Sequence, residues 1–303
     1  VGVRITNALQ REESLRQIQS NLERLADLQR QVSTGKRFTR VEQDPLAASQ
    51  VLRVERGIRA IDQFAKNGTA VQVRLGAEEA VVKQLDDLLR QGRDFALGFA
   101  KGDPPYTAAQ ATQRQIAADQ LTRLLDEAIA LGNTRIGNEY ILAGDHSTTP
   151  PFDPTAGATL GAYQGGTQER RTEIADGVFM AANHTGDQYV GPAIAALKAL
   201  RDAADPANNQ TEAQVQTEVT NVFTAGENLL VSLAQTGASG SQLAATLRNN
   251  TTYKNDLETV RSRVQDVPLE EAVAKLLSLQ TTIEASYTAT SRLLSLTITD
   301  YLR

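Results

Sequence analysis

The sequence predicts a mainly α protein: a long antiparallel helical bundle or coiled coil formed by the two chain ends, with a small β-rich insertion in the middle. Three observations predict it. Apolar residues recur at alternating gaps of three and four near both ends. Aromatic residues make up only 5% of the chain and Trp is absent, so Ala, Leu, Val and Ile carry the burial, which suits narrow helical seams. Residues 136–190 switch to Gly, Pro and short apolar–polar alternations, which suits strands and turns.

In chain order, the first seam is Leu15, Ile18, Leu22, Leu25, Gln29 and Val32, with Ile5 and Leu9 out of frame. Gly35 stands where a left-handed residue ends a helix. Asp44 can cap the next helix, and Pro45 at its first position lacks only an N–H that would go unpaired there. That helix runs to about residue 100, with apolar positions Ile58, Ile61, Ala65, Val71, Leu75, Val82, Leu85, Leu89 and Phe95. Asp103-Pro104-Pro105 stops it. Thr107 to Gln110 reads as a capping box for a third helix, which Gly132-Asn133 closes.

Within the middle region, YILAG, GAYQGG and RRTEIADGVFMAAN are read as short strands and turns. Helices are expected again over 193–204, 212–235 and 240–264, with Asp205-Pro206 and Thr236-Gly237 as breaks. Pro268 opens the last helix, with Glu270 and Glu271 in its favoured acidic first turn. Its seam is Val273, Leu276, Gln280, Ile283, Tyr287, Thr290, Leu294, Thr297 and Tyr301. At 100° per residue, Leu293, Leu294, Leu296, Ile298, Tyr301 and Leu302 spread over roughly 240° of the helix circumference. One partner helix buries a stripe, so neighbouring copies are the expected cover.

Several function classes are excluded or disfavoured. A net charge of −5 without a polybasic block argues against nucleic acid and membrane surfaces. Without cysteine there is no disulfide or thiolate metal site. No apolar run reaches the roughly 20 residues of a membrane span, and the opening VGVRITNALQ has no apolar core of a cleaved signal. His146 and His184 lack a third ligand at recognisable spacing, so no metal and no cofactor is expected. The pairs Glu78-Glu79, Asp86-Asp87 and Glu270-Glu271 diverge by about 100° on a helix and read as solvated faces. No nucleotide loop or nucleophile elbow appears, so no catalytic residue and no enzyme is expected.

Four stretches in order resemble the bacterial flagellin-type axial proteins, and their hook–filament junction branch more closely than their filament subunits. Residues 31–50, QVSTGKRFTRVEQDPLAASQ, look like that family's joint, a Ser-Thr-Gly-Lys-Arg run followed by an Asp-Asp-Pro helix start, with Gln43 where the first Asp usually stands. VRIT is similar to the family's opening, and GNTRIGNEYILAGDHSTTPPF at 132–152, with the following 161–187, is similar to its middle stretch. SRLLSLTITDYLR looks like its closing segment. The resemblance implies a secreted structural subunit of the flagellum that joins hook to filament, with the filament subunit as the alternative. It implies export through the type III apparatus, and as partners other copies, the neighbouring junction protein, flagellin and an export chaperone. It implies a terminal assembly domain at 1–40 plus 268–303, a helical body at 41–135 plus 191–267, and an outer insertion at 136–190. The assembly seam would be Leu15, Ile18, Leu22, Leu25, Val32, Ile283, Tyr287 and the six apolar residues of the tail. Ser33, Gly35, Asp44 and Pro45 would form the hinge and cap.

Overall fold

Long helices with narrow apolar seams form wherever the three–four spacing runs. In the computed structural model the backbone is described for residues 2–155, 157 and 159–301, and side chains for Leu9, 12–155, 157 and 159–292. Helices α1 (Gly2–Thr34), α2 (Pro45–Phe99) and α3 (Ala108–Gly132) come first. Strands β1 (Arg135–Ile136), β2 (Glu139–Tyr140), β3 (Arg171–Ala175) and β4 (Val178–Ala181) follow. Helices α4 (Gly186–Tyr189), α5 (Gly191–Ala204), α6 (Glu212–Gln265) and α7 (Leu269–Tyr301) complete the order, with a 3-10 turn at Pro206–Asn208 before α6. The chain is mainly α, with helical ends and two small antiparallel sheets between them.

The chain divides into two units, residues 1–59 with 253–303 and residues 60–252. In the first, α1 packs along α7. The pair is antiparallel, because the residues after α1 bridge to those before α7 while Ser14 and Ile18 share a groove with Ser286 and Thr290. Phe38, Ala48 and Val51 form a small core with Ala47 and Val264 against it. Gly57 lets α6 approach α2: a methyl there would stand 3.0 Å from Leu257 Cδ1.

The second unit is built on the α2–α6 pairing. Here α2 buries Ile61, Gly68, Leu75, Val82, Leu89 and Ala96 on one line, and Val71, Glu78, Leu85, Gly92 and Phe99 on the next. Each line repeats every seven residues, which keeps both lines turned towards neighbouring helices. A methyl at Gly68 would stand 2.6 Å from Leu247 Cδ2, and one at Gly226 3.4 Å from Asp86 Oδ1, so the two helices run antiparallel. Ala65 and Phe95, expected in the seam, are exposed, because the seven-residue lines pass one residue away, through Phe64 and Ala96.

Helix α6 corrects the expected break at Thr236-Gly237: it is continuous. Val215, Val222, Leu229, Thr236 and Leu243 are all buried at seven-residue spacing. The seam therefore has the same phase on both sides of the TGASG run. Thr236 Oγ1 donates to the Ser232 carbonyl at 3.0 Å. Each helical glycine costs about 1 kcal/mol, and burial of Leu229 and Leu243, about 1.5–3 kcal/mol apiece, offsets it.

Helix α3 starts on the capping box, with Thr107 Oγ1 accepting from Gln110 N and the Gln110 side chain returning the bond. Its buried Leu121, Leu125 and Ile129 join Leu85 and Leu89 of α2, Ile194, Leu197 and Leu200 of α5, and Val222 and Leu229 of α6 in the main core. The β3–β4 hairpin lays Ile174 and Met180 on Val71, Leu75 and Leu243. Asn67 Nδ2 and Asn250 Nδ2 hold it down, donating to the carbonyls of Glu173 (2.8 Å) and Ile174 (2.7 Å).

Strand content is lower than YILAG and GAYQGG suggest. Past Tyr140, Ile141, Leu142 and Ala143 are fully buried but form no ladder. Their main chain is bonded singly instead: Ile141 N donates to the Thr134 carbonyl (3.1 Å), and the carbonyls of Leu142 and Ala143 accept from Gly186 N (2.8 Å) and Gly166 N (2.9 Å). The Asn133 side chain adds two bonds to the Phe152 main chain, at 2.8 and 2.9 Å.

Candidate assembly surface and joint

The α1–α7 pair buries Ile18 and Asn21 and half-buries Ser14, Leu25, Leu28 and Val32. Across from them α7 buries Ala272 and Ile283 and half-buries Leu276, Leu279, Ser286 and Thr290. Both sets keep the three–four alternation. The spine Ile18–Leu25–Val32 carries apolar residues on both flanks, and α7 covers only the flank of Asn21 and Leu28. The other flank holds Leu15 and Leu22, which are 55% and 41% exposed. On α7 the uncovered side holds Leu277 and Tyr287, 56% and 51% exposed. Of the expected seam, then, Ile18, Leu25, Val32 and Ile283 face the partner helix, while Leu15, Leu22 and Tyr287 face water. Ser14, Asn21 and Ser286, each one residue earlier, take the places those three were expected to fill. Leu293, Leu294, Leu296, Ile298, Tyr301 and Leu302 lie outside the residues whose side chains are described.

The joint is built residue by residue. Gly35 adopts φ +69° and its N–H bonds the Gln31 carbonyl at 2.8 Å, ending α1. Ser33 is exposed in the last turn of α1. Beyond Gly35, Arg37 N donates to the Gln265 carbonyl (2.7 Å) and Val267 N to the Gly35 carbonyl (2.9 Å). Arg37 Nε adds a bond to the Asp266 carbonyl at 3.1 Å. Phe38 then plugs into Ala48, Val51 and Val264. Gln43 folds back so that its Oε1 accepts from Thr39 N (2.8 Å) and Arg40 N (3.2 Å). Asp44 Oδ1 accepts from Ala47 N at 2.9 Å, with Pro45 opening α2. The sequence reading missed Phe38 and Arg37; an aromatic residue inside an otherwise polar joint was the signal. Replacing Asp44 with Ala is expected to cost about 1 kcal/mol, measured as a lower denaturation midpoint with an unchanged slope.

Among the described residues no cluster of three or more His, Asp or Glu could hold a metal ion. His146 sits in a turn, its carbonyl accepting from Thr149 N at 3.0 Å. His184 and Glu78 correct the expectation that the Glu78-Glu79 pair is a solvated face. Glu78 is fully buried in the α2 seam, between Val71 and Leu85. Its carboxylate accepts from His184 N at 3.1 Å and contacts His184 Nδ1 at 2.6 Å. The imidazole stacks on Tyr189 with centroids 4.6 Å apart, and the Tyr189 hydroxyl donates to the Ser232 carbonyl at 2.7 Å. Burial opposes charge on the ring, but the Glu78 bond and charge, with Glu169 nearby, outweigh it and raise the His184 pKa. Glu139 goes the other way: bonds from Arg74, against partial burial, and from Arg170 lower its pKa. These pairs tie the middle segment to α2.

The comparisons agree with this architecture. The bacterial flagellin N-terminal helical region matches residues 5–147, and the C-terminal helical region matches residues 219–302. The flagellar hook-associated protein 3 of Escherichia coli is 25% identical over 291 residues, covering 86% of this chain and 87% of that one. The protein of the same name from Salmonella typhimurium is 27% identical over 187 residues, 61% of this chain and 56% of the relative's length. A solved putative flagellar hook-associated protein from Vibrio parahaemolyticus shares the fold, with a TM-score of 0.64 at 19% identity over 74% of this chain and all of the other. With both helical regions of flagellin in order on one chain, this protein belongs to the flagellin-like family of structural, non-enzymatic proteins of the bacterial flagellum.

Proposed function

We propose that this protein joins the flagellar hook to the filament, packing against other copies of itself through α1 and α7. The observation that carries the reading is the pair's uncovered flank: among the described residues, Leu15 and Leu22 of α1 and Leu277 and Tyr287 of α7 are large apolar side chains exposed to water. The hook-associated relative that aligns over 86% of the chain supports the junction as the place. In this reading residues 1–40 and 268–303 are the assembly domain, 41–135 with 191–267 the body, and 136–190 the outer insertion. Ser33, Gly35, Asp44 and Pro45 delimit the joint between assembly domain and body. The subunit leaves the cell by flagellar type III export with a chaperone. It then meets the adjacent hook-associated protein on one side and flagellin on the other, through different patches, as a heterologous interface requires.

Deleting residues 293–303 is expected to leave a soluble, folded body that no longer joins hook to filament. A deletion strain that builds normal filaments and swims would overturn the proposal. The match to both flagellin helical regions favours one second reading, the filament subunit itself. Immunogold labelling separates the two: label confined to one narrow band supports the junction, and label along the whole filament supports flagellin.

A further inference from the structure

The β3–β4 hairpin is held to the helices through a small apolar cluster of its own. Ile174, Met180 and the flanking Ala182 lie on Val71 and Leu75 of α2 and Leu243 of α6, separate from the main core. Val178 and Phe179 stand in water, 39% and 55% exposed. The ladder shifts register between Glu173 and Ala175. A two-stranded hairpin is marginal by itself in water, so its hold on the helices decides whether it stays closed.

Both flanks of the hairpin are pinned to α2 by ion pairs. Arg170, the residue before β3, shares Glu139 of β2 with Arg74 of α2, and its Nη1 stands 3.0 Å from Glu139 Oε1. His184, shortly after β4, contacts Glu78 of α2 at 2.6 Å. Arg74 and Glu78 are about one turn apart on α2, so both pins sit at the hairpin's base. Asn183, fully buried, joins the two flanks there. Its Oδ1 accepts from Arg170 N at 2.9 Å and its Nδ2 donates to the Gly144 carbonyl at 2.7 Å. Towards the turn the Asn67 and Asn250 amides add one bond each.

The two pins titrate in opposite senses. The bond from Arg74, against partial burial and with help from Arg170, lowers the Glu139 pKa. That pin holds fully above about 4.5 and fails as the pH falls through the lowered value. The groups facing His184 are Glu78 of α2, Glu169 ahead of β3 and Tyr189 of α4. Burial opposes charge on the ring, but Glu78 and Glu169 override it and raise the pKa. This pin holds fully below about 6.5 and weakens as the pH climbs through the raised value. A neutral ring can keep its Nδ1–H bond to Glu78, but the buried carboxylate then lacks a counter-charge.

We infer that the hairpin with its flanks, residues 170–184, is a latched flap: two ion pairs at its base hold it closed on α2 and α6, and it lifts ahead of the rest of residues 60–252 when either pair loses its charge. Lifting bares Val71, Leu75 and Leu243, which are 1%, 4% and 1% exposed beneath it. The flap is tightest in mildly acidic solution and loosens on both sides. This goes beyond the proposed function, because it concerns a segment of the other unit and holds for a junction protein or a filament subunit alike.

Hydrogen exchange followed by mass spectrometry on the full-length protein tests it, read as protection factors so that the intrinsic pH dependence of exchange drops out. At pH 6 a peptide covering residues 171–182 is expected to be at least about tenfold less protected than one covering residues 121–129 of α3. Its protection should fall by a further factor of about three or more between pH 6 and pH 9. Glu139→Gln removes the charge of the other pin. It should lower hairpin protection about threefold at pH 6 and leave the alkaline fall in place. His184→Gln should abolish the alkaline fall. A hairpin as protected as α3 would overturn the flap, and so would hairpin protection indifferent to pH or to Glu139→Gln. Should either variant misfold, shown by α3 protection lost altogether, the wild-type comparison with α3 and its pH course decide alone.

Discussion

Replacing His184 with Ala is expected to destabilise residues 60–252 by about 3 kcal/mol, at the lower end of the cost of stranding a buried charge. Glu78 is completely buried on α2, and the imidazole is the side chain bonded to its carboxylate. The His184 amide would still donate, which keeps the loss from being larger. A loss of that size lowers the melting temperature by about 6–12 °C for a unit of this length. The effect depends on pH with a definite sign. The His184 pKa is raised in the fold, so the bound proton stabilises the native state fully below the free imidazole value, about 6.5. That contribution fades as the pH climbs through the raised value. Urea denaturation between pH 5 and 9 should therefore show wild-type stability falling on the alkaline side, while the Ala variant lacks this component. Replacing Glu78 and His184 together by Leu should recover most of the loss, because no charge is then left unpaired. A His184→Ala protein as stable as wild type at pH 6 would remove the pair from the account of the fold.

The second large effect falls on assembly and spares the fold. Changing Leu15 and Leu22 together to Asp places charges on the uncovered flank of α1. Exposed substitutions of this kind shift stability by only about 0.5 kcal/mol, so circular dichroism and the denaturation midpoint should barely move. Burial against a neighbour would forfeit about 1.5–3 kcal/mol per Leu, or roughly 100-fold to 10,000-fold in association for the pair. Complementing a deletion strain with this variant should give cells that carry hooks but no attached filaments. Changing Leu28 to Asp is the contrast, since Leu28 lies in the seam with α7 and its loss should open the pair within the subunit itself. Normal swimming with the Leu15/Leu22 variant would mean that the flank meets no neighbour.

Features set by a few adjacent residues were legible before the structure. The Thr107–Gln110 box and the Asp44-Pro45 start are local chemistry, and the mainly α class follows from spacing alone. The seam of α1 was half legible. Ile18, Leu25 and Val32 belong equally to two stripes, 14/18/21/25/28/32 and 15/18/22/25/29/32, and only the partner helix decides which is covered. Glu78 was illegible because the group that makes its burial tolerable, His184, lies 106 residues further on. The TGASG run misled for a related reason. Glycine reads locally as a break, yet the seven-residue line from Val215 to Leu243 passes through it without a change of phase.

Gln43 has a consequence for tolerance to acid. At this position the chain places an amide, and its oxygen fastens the main-chain N–H groups of Thr39 and Arg40. A carboxylate in that role would take up a proton near pH 4 and slacken its hold. An amide has no proton to gain in that range, so this fastening stays shut in sour surroundings that would loosen its acidic counterpart.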